Sequence, residues 1–140
     1  MAIATSTPAI FPWKDAYSVG IPEIDAQHKG LVRQINDLHA AMTAGQGKQS
    51  LGKTLDDLVK YTEVHFSFEE GMLRRKGYAT LAAHQGVHKK LTAQVIELRD
   101  KYRSGKLTLT MEVMQFLKSW LSDHIMVHDQ AYAREIAGKK

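Results

Sequence analysis

The chain has 140 residues, a net charge of +4, and 44% hydrophobic against 24% charged residues, the balance of one globular domain built on a single core. It contains no cysteine, which excludes disulfides, zinc–thiolate sites and iron–sulfur clusters and suits a reducing compartment. Lys and Arg are dispersed and not interleaved with aromatics, so no nucleic-acid partner is expected, and nothing approaches the ~18 apolar residues of a membrane span.

Residues 1–20 carry no helical pattern and read as an extended arm, held to the rest by Phe11, Trp13 and Tyr17. The opening MAIATSTPAIFP has neither a charged n-region nor a long apolar run, so no signal peptide and a cytoplasmic location are expected. Helix one begins near Pro22, a residue favoured in a first turn, and places Ile24, His28, Leu31, Ile35, Leu38 and Met42 on one face. Gly45-Gln46-Gly47 breaks it, and Ser50 is a candidate cap for helix two. Helix two carries Leu51, Leu55, Leu58, Thr62, His65, Glu69, Met72 and Lys76 in the same rhythm. Gly77 ends it, and Thr80 is a candidate cap for helix three, whose stripe is Leu81, His84, His88, Leu91, Val95, Leu98 and Tyr102. After Ser104-Gly105, Thr108 or Thr110 caps helix four, with Glu112 in its first turn. Its stripe is Val113, Phe116, Leu117, Trp120, Leu121, His124 and Val127. Four amphipathic helices with short connections define an all-α, up-down-up-down four-helix bundle occupying about residues 21–137 of a single domain, 1–140.

That topology has a consequence for the polar residues on the stripes. The start of helix one, the end of helix two, the start of helix three and the end of helix four all lie at the same end of the bundle. His28, His65, Glu69, His84, His88, His124 and Asp129 therefore gather at one level, six of them on inward stripes. A lone histidine on an apolar stripe is an ordinary core residue. Five with two carboxylates are not, because buried carboxylates cost several kcal/mol each (on the order of) unless paired or bound to metal. His84-x-x-x-His88 and His65-x-x-x-Glu69 each put two donors one turn apart on one face. Seven side chains exceed a tetrahedral zinc site; two octahedral ions with two carboxylates between them fit the count, and the donor types suit iron, manganese or zinc. His39 sits about 16 Å further along its helix than His28 and is expected to be a partly exposed structural residue.

On helix four, spacing and carboxylate chemistry disagree. His128 lies one turn after His124 on the same face, whereas Asp129 lies about 140° away on an ideal helix. A local π-type widening would bring the fifth residue into line.

The order H, H-x3-E, H-x3-H, H-x4-D, here at His28, His65–Glu69, His84–His88 and His124–Asp129, resembles the hemerythrin family in its short single-domain bacterial form. Tyr132 and the aromatic arm with Trp13 are similar too. The resemblance implies a non-haem diiron centre with an oxo or hydroxo bridge. One iron is held by His84, His88 and His124, the other by His28 and His65, and Glu69 and Asp129 bridge them. It selects Asp129 over His128 and leaves an open position for dioxygen, in an apolar pocket for which Leu31, Phe66, Trp120, Leu121, Ile125 and Trp13 are the candidates. The implied function is reversible dioxygen binding for storage, delivery or scavenging, without catalysis, with delivery to an oxygen-consuming enzyme. The rival readings are a diiron peroxidase, oxidase or nitric-oxide-handling enzyme, or an oxygen sensor acting through a partner. The paired Glu-x-x-His motifs of ferritin-like enzymes are missing.

Overall fold

A computed structural model describes residues 10–137. Four long helical segments form the bundle: α1 (Pro22–Thr43), α2 (Lys48–Arg75), α3 (Leu81–Arg103) and a last one that opens as α4 (Met111–Asp123), widens into a π-helical segment (His124–Asp129) and closes as α5 (Gln130–Ala137). α1 packs on α2 and α4, and α2 packs on α3. Among the described residues there is no strand, and no helix is long and apolar enough to cross a membrane.

The turns follow from local chemistry. Pro22 occupies the first turn of α1 as expected. α2 ends in a Schellman turn: Gly77 takes φ +67°, Tyr78 N–H donates to Leu73 O at 3.0 Å and Gly77 N–H to Arg74 O at 3.1 Å. Tyr78 and Leu73 then share an apolar cluster, so the turn fixes the angle at which α3 departs. Thr110 caps α4, its hydroxyl accepting from Val113 N–H. The other two expected caps are absent. α2 starts at Lys48, which puts Ser50 inside the first turn, where its hydroxyl donates to Gln46 Oε1. Thr80 precedes α3 without a side-chain cap bond.

The described part of the arm, residues 10–20, carries a 3-10 turn at Asp15–Tyr17 and bends at residues 10, 11 and 20, the last at Gly20 with φ +76°; the arm's first nine residues lie outside the described range. Phe11 is fully buried, and its backbone exchanges two 2.9 Å hydrogen bonds with the Asn36 side chain of α1. Tyr17 is buried edge-on to Phe11, and Trp13 is half-buried. Asp25 holds the arm's end, accepting from Ser18 Oγ and from Val19 N–H.

Each helix passes through the same three zones. The large core is built from Leu31, Ile35, Leu38, Leu55, Leu58, Val95, Leu98, Met114, Leu117 and Leu121. A smaller cluster, Val19, Ile24, Met72, Leu73 and Tyr132, closes one end. Between them on every helix lie the histidines and carboxylates. Two stripe residues of the fourth helix fall outside the core: Phe116 is 41% and Val127 60% exposed, while Met114 is fully buried. The inward face centres on Met114, Leu117 and Leu121, which leaves Phe116 on the flank. His39 is also more buried than its position suggested, at 8% exposure, within the core-facing side of α1.

The caps give a direct check. Thr110→Ala should lower unfolding stability by about 1 kcal/mol, read by chemical denaturation, whereas Thr80→Ala, which loses no cap bond, should leave it unchanged. Equal losses would contradict the cap assignment.

Candidate metal centre

All seven expected residues reach one buried layer: His28, Glu69 and Asp129 are 0% exposed and His65, His84, His88 and His124 no more than 4%. Two groups of donor atoms emerge, one from Glu69, His84, His88, His124 and Asp129, the other from His28, His65 and Glu69. α2 supplies His65 and Glu69 one turn apart, α3 supplies His84 and His88 likewise, and α1 supplies His28.

The fourth helix reaches the layer through its π segment, which runs from His124 to Asp129. One extra residue in that turn delays the helical phase, so Asp129 rather than His128 points inward. His128 is half-buried at the rim, its ring 5.4 Å from that of His124, and burial lowers its pKa. It belongs to neither donor group.

The five rings share one orientation, with Nε2 turned to the carboxylates. Glu69 Oε1 is 3.0 Å from His84 Nε2 and 2.9 Å from His88 Nε2. Asp129 Oδ1 is 3.1 Å from both His84 Nε2 and His124 Nε2. The second oxygens face the other way. Glu69 Oε2 is 3.5 Å from His28 Nε2 and 3.6 Å from His65 Nε2, and Asp129 Oδ2 is 3.0 Å from His28 Nε2. Each carboxylate thus presents one oxygen to each side of the layer.

The donor set fits metal ions better than it fits hydrogen bonds. His28 Nδ1 and Nε2, His65 Nε2, His124 Nδ1 and both oxygens of Asp129 are buried without a hydrogen-bond partner. His88 Nε2 and His124 Nε2 stand 3.1 Å apart, two ring nitrogens face to face. Two nitrogens at right angles, each ~2.1 Å from one ion, would be separated by about 3.0 Å.

Protonation compensates in part when the layer is metal-free. Burial pulls His28 and His84 down, but the close Asp129 and Glu69 carboxylates outweigh it and raise both to about 9. Burial drives His65 down to about 4. Glu69 is held well below the ordinary carboxylate range despite its burial, by His28, His84 and His88. Asp129 is also lowered, its burial and the neighbouring Glu69 being overcome by His124 and His28. Tyr132 is raised by burial and by the Glu69 and Asp129 charges, which keeps its hydroxyl protonated as a donor to Glu69 Oε2 at 2.9 Å.

Three partners of the layer complete it. Tyr132 carries the bond just described. Gln27 Oε1 is 2.6 Å from His65 Nδ1, and Glu70 Oε2 is 2.7 Å from His88 Nδ1. Nothing in the sequence marked Gln27 or Glu70 beyond their standing next to His28 and Glu69. Of the apolar pocket candidates, Leu31, Leu121 and Ile125 are buried in the large core, and Phe66 stacks on the His88 ring at 3.9 Å. Trp120 is buried and donates its Nε1–H to Leu91 O. Trp13 stays on the arm beside Tyr17, with Lys29 Nζ over its ring.

Fold and site together define a four-helix bundle with a buried histidine–carboxylate cation site. The family model described as the hemerythrin HHE cation binding domain matches residues 19–136. The chain is 37% identical over 128 residues to the bacteriohemerythrin of Stenotrophomonas maltophilia, covering 91% of this chain and 82% of that protein. It is 33% identical to the bacteriohemerythrin of Methylococcus capsulatus, covering 89% and 95%. The crystal structure of a wild-type hemerythrin superposes with a TM-score of 0.82 at 33% identity, covering 92% of this chain and 99% of that one. The chain belongs to the hemerythrin family.

The pKa shifts predict how pH acts. His28 and His84, raised to about 9, stabilise the metal-free fold fully below their unfolded value near 6.5, and that contribution is lost as pH rises through about 9. Glu69 and Asp129, lowered, contribute above the ordinary carboxylate range and lose that contribution in acid. His65, lowered to about 4, opposes folding below its unfolded value, where the unfolded chain takes up a proton that the fold refuses. Metal binding needs neutral imidazoles and so strengthens as pH rises. The gap in thermal midpoint between metal-loaded and metal-free protein should therefore widen from pH 6 to pH 9 and close in acid. Scanning calorimetry of both forms measures it; a gap that narrows towards pH 9 would contradict the layer as a metal site.

Proposed function

We propose that the chain holds two iron ions and binds dioxygen reversibly at them, for storage, delivery or scavenging. The observation that carries this reading is the division of the layer: three imidazoles on one side, two on the other, and each carboxylate offering one oxygen to each side. His84, His88 and His124 would hold one ion and His28 and His65 the other, with Glu69 and Asp129 shared. At equal coordination number the side with two imidazoles is one donor short, which is where a small ligand would enter. Two ferrous ions held there would supply the two electrons that reversible dioxygen binding needs.

The surrounding residues favour return over onward chemistry. Leu31, Leu121 and Ile125 are buried beside the layer, and Phe66 covers the His88 ring, so water and protons reach the layer poorly. Tyr132 fixes Glu69 by a donated hydrogen bond and, with its raised pKa, gives up no proton. Of the candidate pocket, Trp120 lines a cavity that also reaches His124, while Trp13 stays on the arm beside Tyr17. The carrier role, a cytoplasmic location and delivery to an oxygen-consuming enzyme form one reading, with which the absence of cysteine agrees.

The test is a three-step optical spectrum of the iron-loaded protein: reduced, oxygenated, and returned to vacuum. Reversible binding gives a charge-transfer band that appears with oxygen and leaves with it. A band that decays to a ferric product without release would favour an enzyme. The same spectra separate Asp129 from His128. Asp129→Ala should abolish the reversible band and lower iron content, while His128→Gln should keep both with a modest change. The reverse result would reassign the helix-four donor to His128.

A further inference from the structure

In the layer, two imidazoles have their outward nitrogen held by a side chain, and the two partners differ in charge. His88 Nδ1 faces the Glu70 carboxylate at 2.7 Å, and His65 Nδ1 faces the Gln27 amide oxygen at 2.6 Å. Both rings turn Nε2 to the shared carboxylates, so Nδ1 carries the proton when Nε2 ligates, and Nδ1–H donates. Glu70 is itself fixed, its other oxygen accepting from Gln85 Nε2 at 3.3 Å across α2 and α3. His28 Nδ1 and His124 Nδ1 have no hydrogen-bond partner, so no carboxylate is set behind either of those rings in the way Glu70 is set behind His88.

We propose that Glu70 sets the charge preference of one metal position through His88, so that the two irons differ in redox preference. This rests on the two-iron reading above. A carboxylate that accepts the Nδ1 proton draws it away from the ring and raises electron density at Nε2, making His88 a stronger donor to the higher-charged metal. A neutral amide oxygen gives the same hydrogen-bond geometry without the full charge. The position held by His84, His88 and His124 therefore favours Fe(III), and the position held by His28 and His65, backed by Gln27, keeps Fe(II) longer. The side that is one donor short is thus the side that resists oxidation.

Glu70→Gln and Gln27→Glu test this, because each keeps the shape and the acceptor and changes only the charge. Reduction potentials of the iron-loaded full-length protein are measured by mediated spectroelectrochemistry, with iron counted on the same samples. Glu70→Gln should shift one of the two steps about tenfold towards Fe(II), ~59 mV for one electron, and Gln27→Glu should shift the other towards Fe(III). Unchanged potentials in Glu70→Gln at full iron content would overturn the proposal and reduce Glu70 to a structural peg. If Glu70→Gln holds no iron, Gln27→Glu decides alone, and an unshifted potential there overturns it. Zinc affinity of the metal-free proteins, by chelator competition, is read in parallel. Glu70→Gln should bind Zn(II) roughly 10-fold more weakly than the unaltered chain. Equal zinc affinity would count against Glu70 even if the unaltered chain held fewer than two irons, a result that would itself refute the two-iron reading.

Discussion

The structure depends on a layer that water-free protein does not tolerate alone. Five imidazoles and two carboxylates lie buried between two apolar clusters, with both oxygens of Asp129 lacking any hydrogen bond. Charges placed there cost several kcal/mol each, on the order of a whole domain's net stability, unless something satisfies them. Protonation of His28 and His84 compensates some of this charge, but it leaves the ring nitrogens of His88 and His124 facing one another. Metal ions at the centre would satisfy inward nitrogens and oxygens together. Tyr132, Gln27 and Glu70 then secure Glu69, His65 and His88 from behind.

Helix geometry is bent to serve this layer. A regular fourth helix would carry His124 and His128 on one face and deliver no carboxylate. The π segment spends one extra residue to bring Asp129 inward and, three residues later, Tyr132 onto Glu69. A single widened turn therefore positions a donor and the residue that holds the opposite donor. The arm contributes at a distance: Phe11 is pinned to Asn36 in the second half of α1, and Val19 to Asp25 in its first turn, three residues before His28.

Much of this could be read from residue order. Stripes at three- and four-residue steps gave the helices, and short glycine-marked breaks gave their alternation, which alone brings His28, His65, Glu69, His84, His88 and His124 to one end. Asp129 could not be derived that way, because helical phase pointed to His128; a resemblance supplied the residue and the π turn supplies the reason. Gln27 and Glu70 were illegible because their role lies in which nitrogen each holds, a matter of a few tenths of an ångström across helices. Phe116 is misplaced because a broad apolar pattern on α4 has two plausible centres, and only packing against α1 selects Met114, Leu117 and Leu121; Val127 is misplaced because it lies in the π segment, which shifts the helical phase after His124. Ser50 and Thr80 had cap chemistry without cap geometry.

The most direct measurement is anomalous diffraction at the iron edge from crystals of the iron-loaded protein. Two peaks per chain are expected, one among Glu69, His84, His88, His124 and Asp129 and one beside His28, His65 and Glu69. A single peak, or one drawn out to His128 with Asp129 left free, would contradict the two-iron reading.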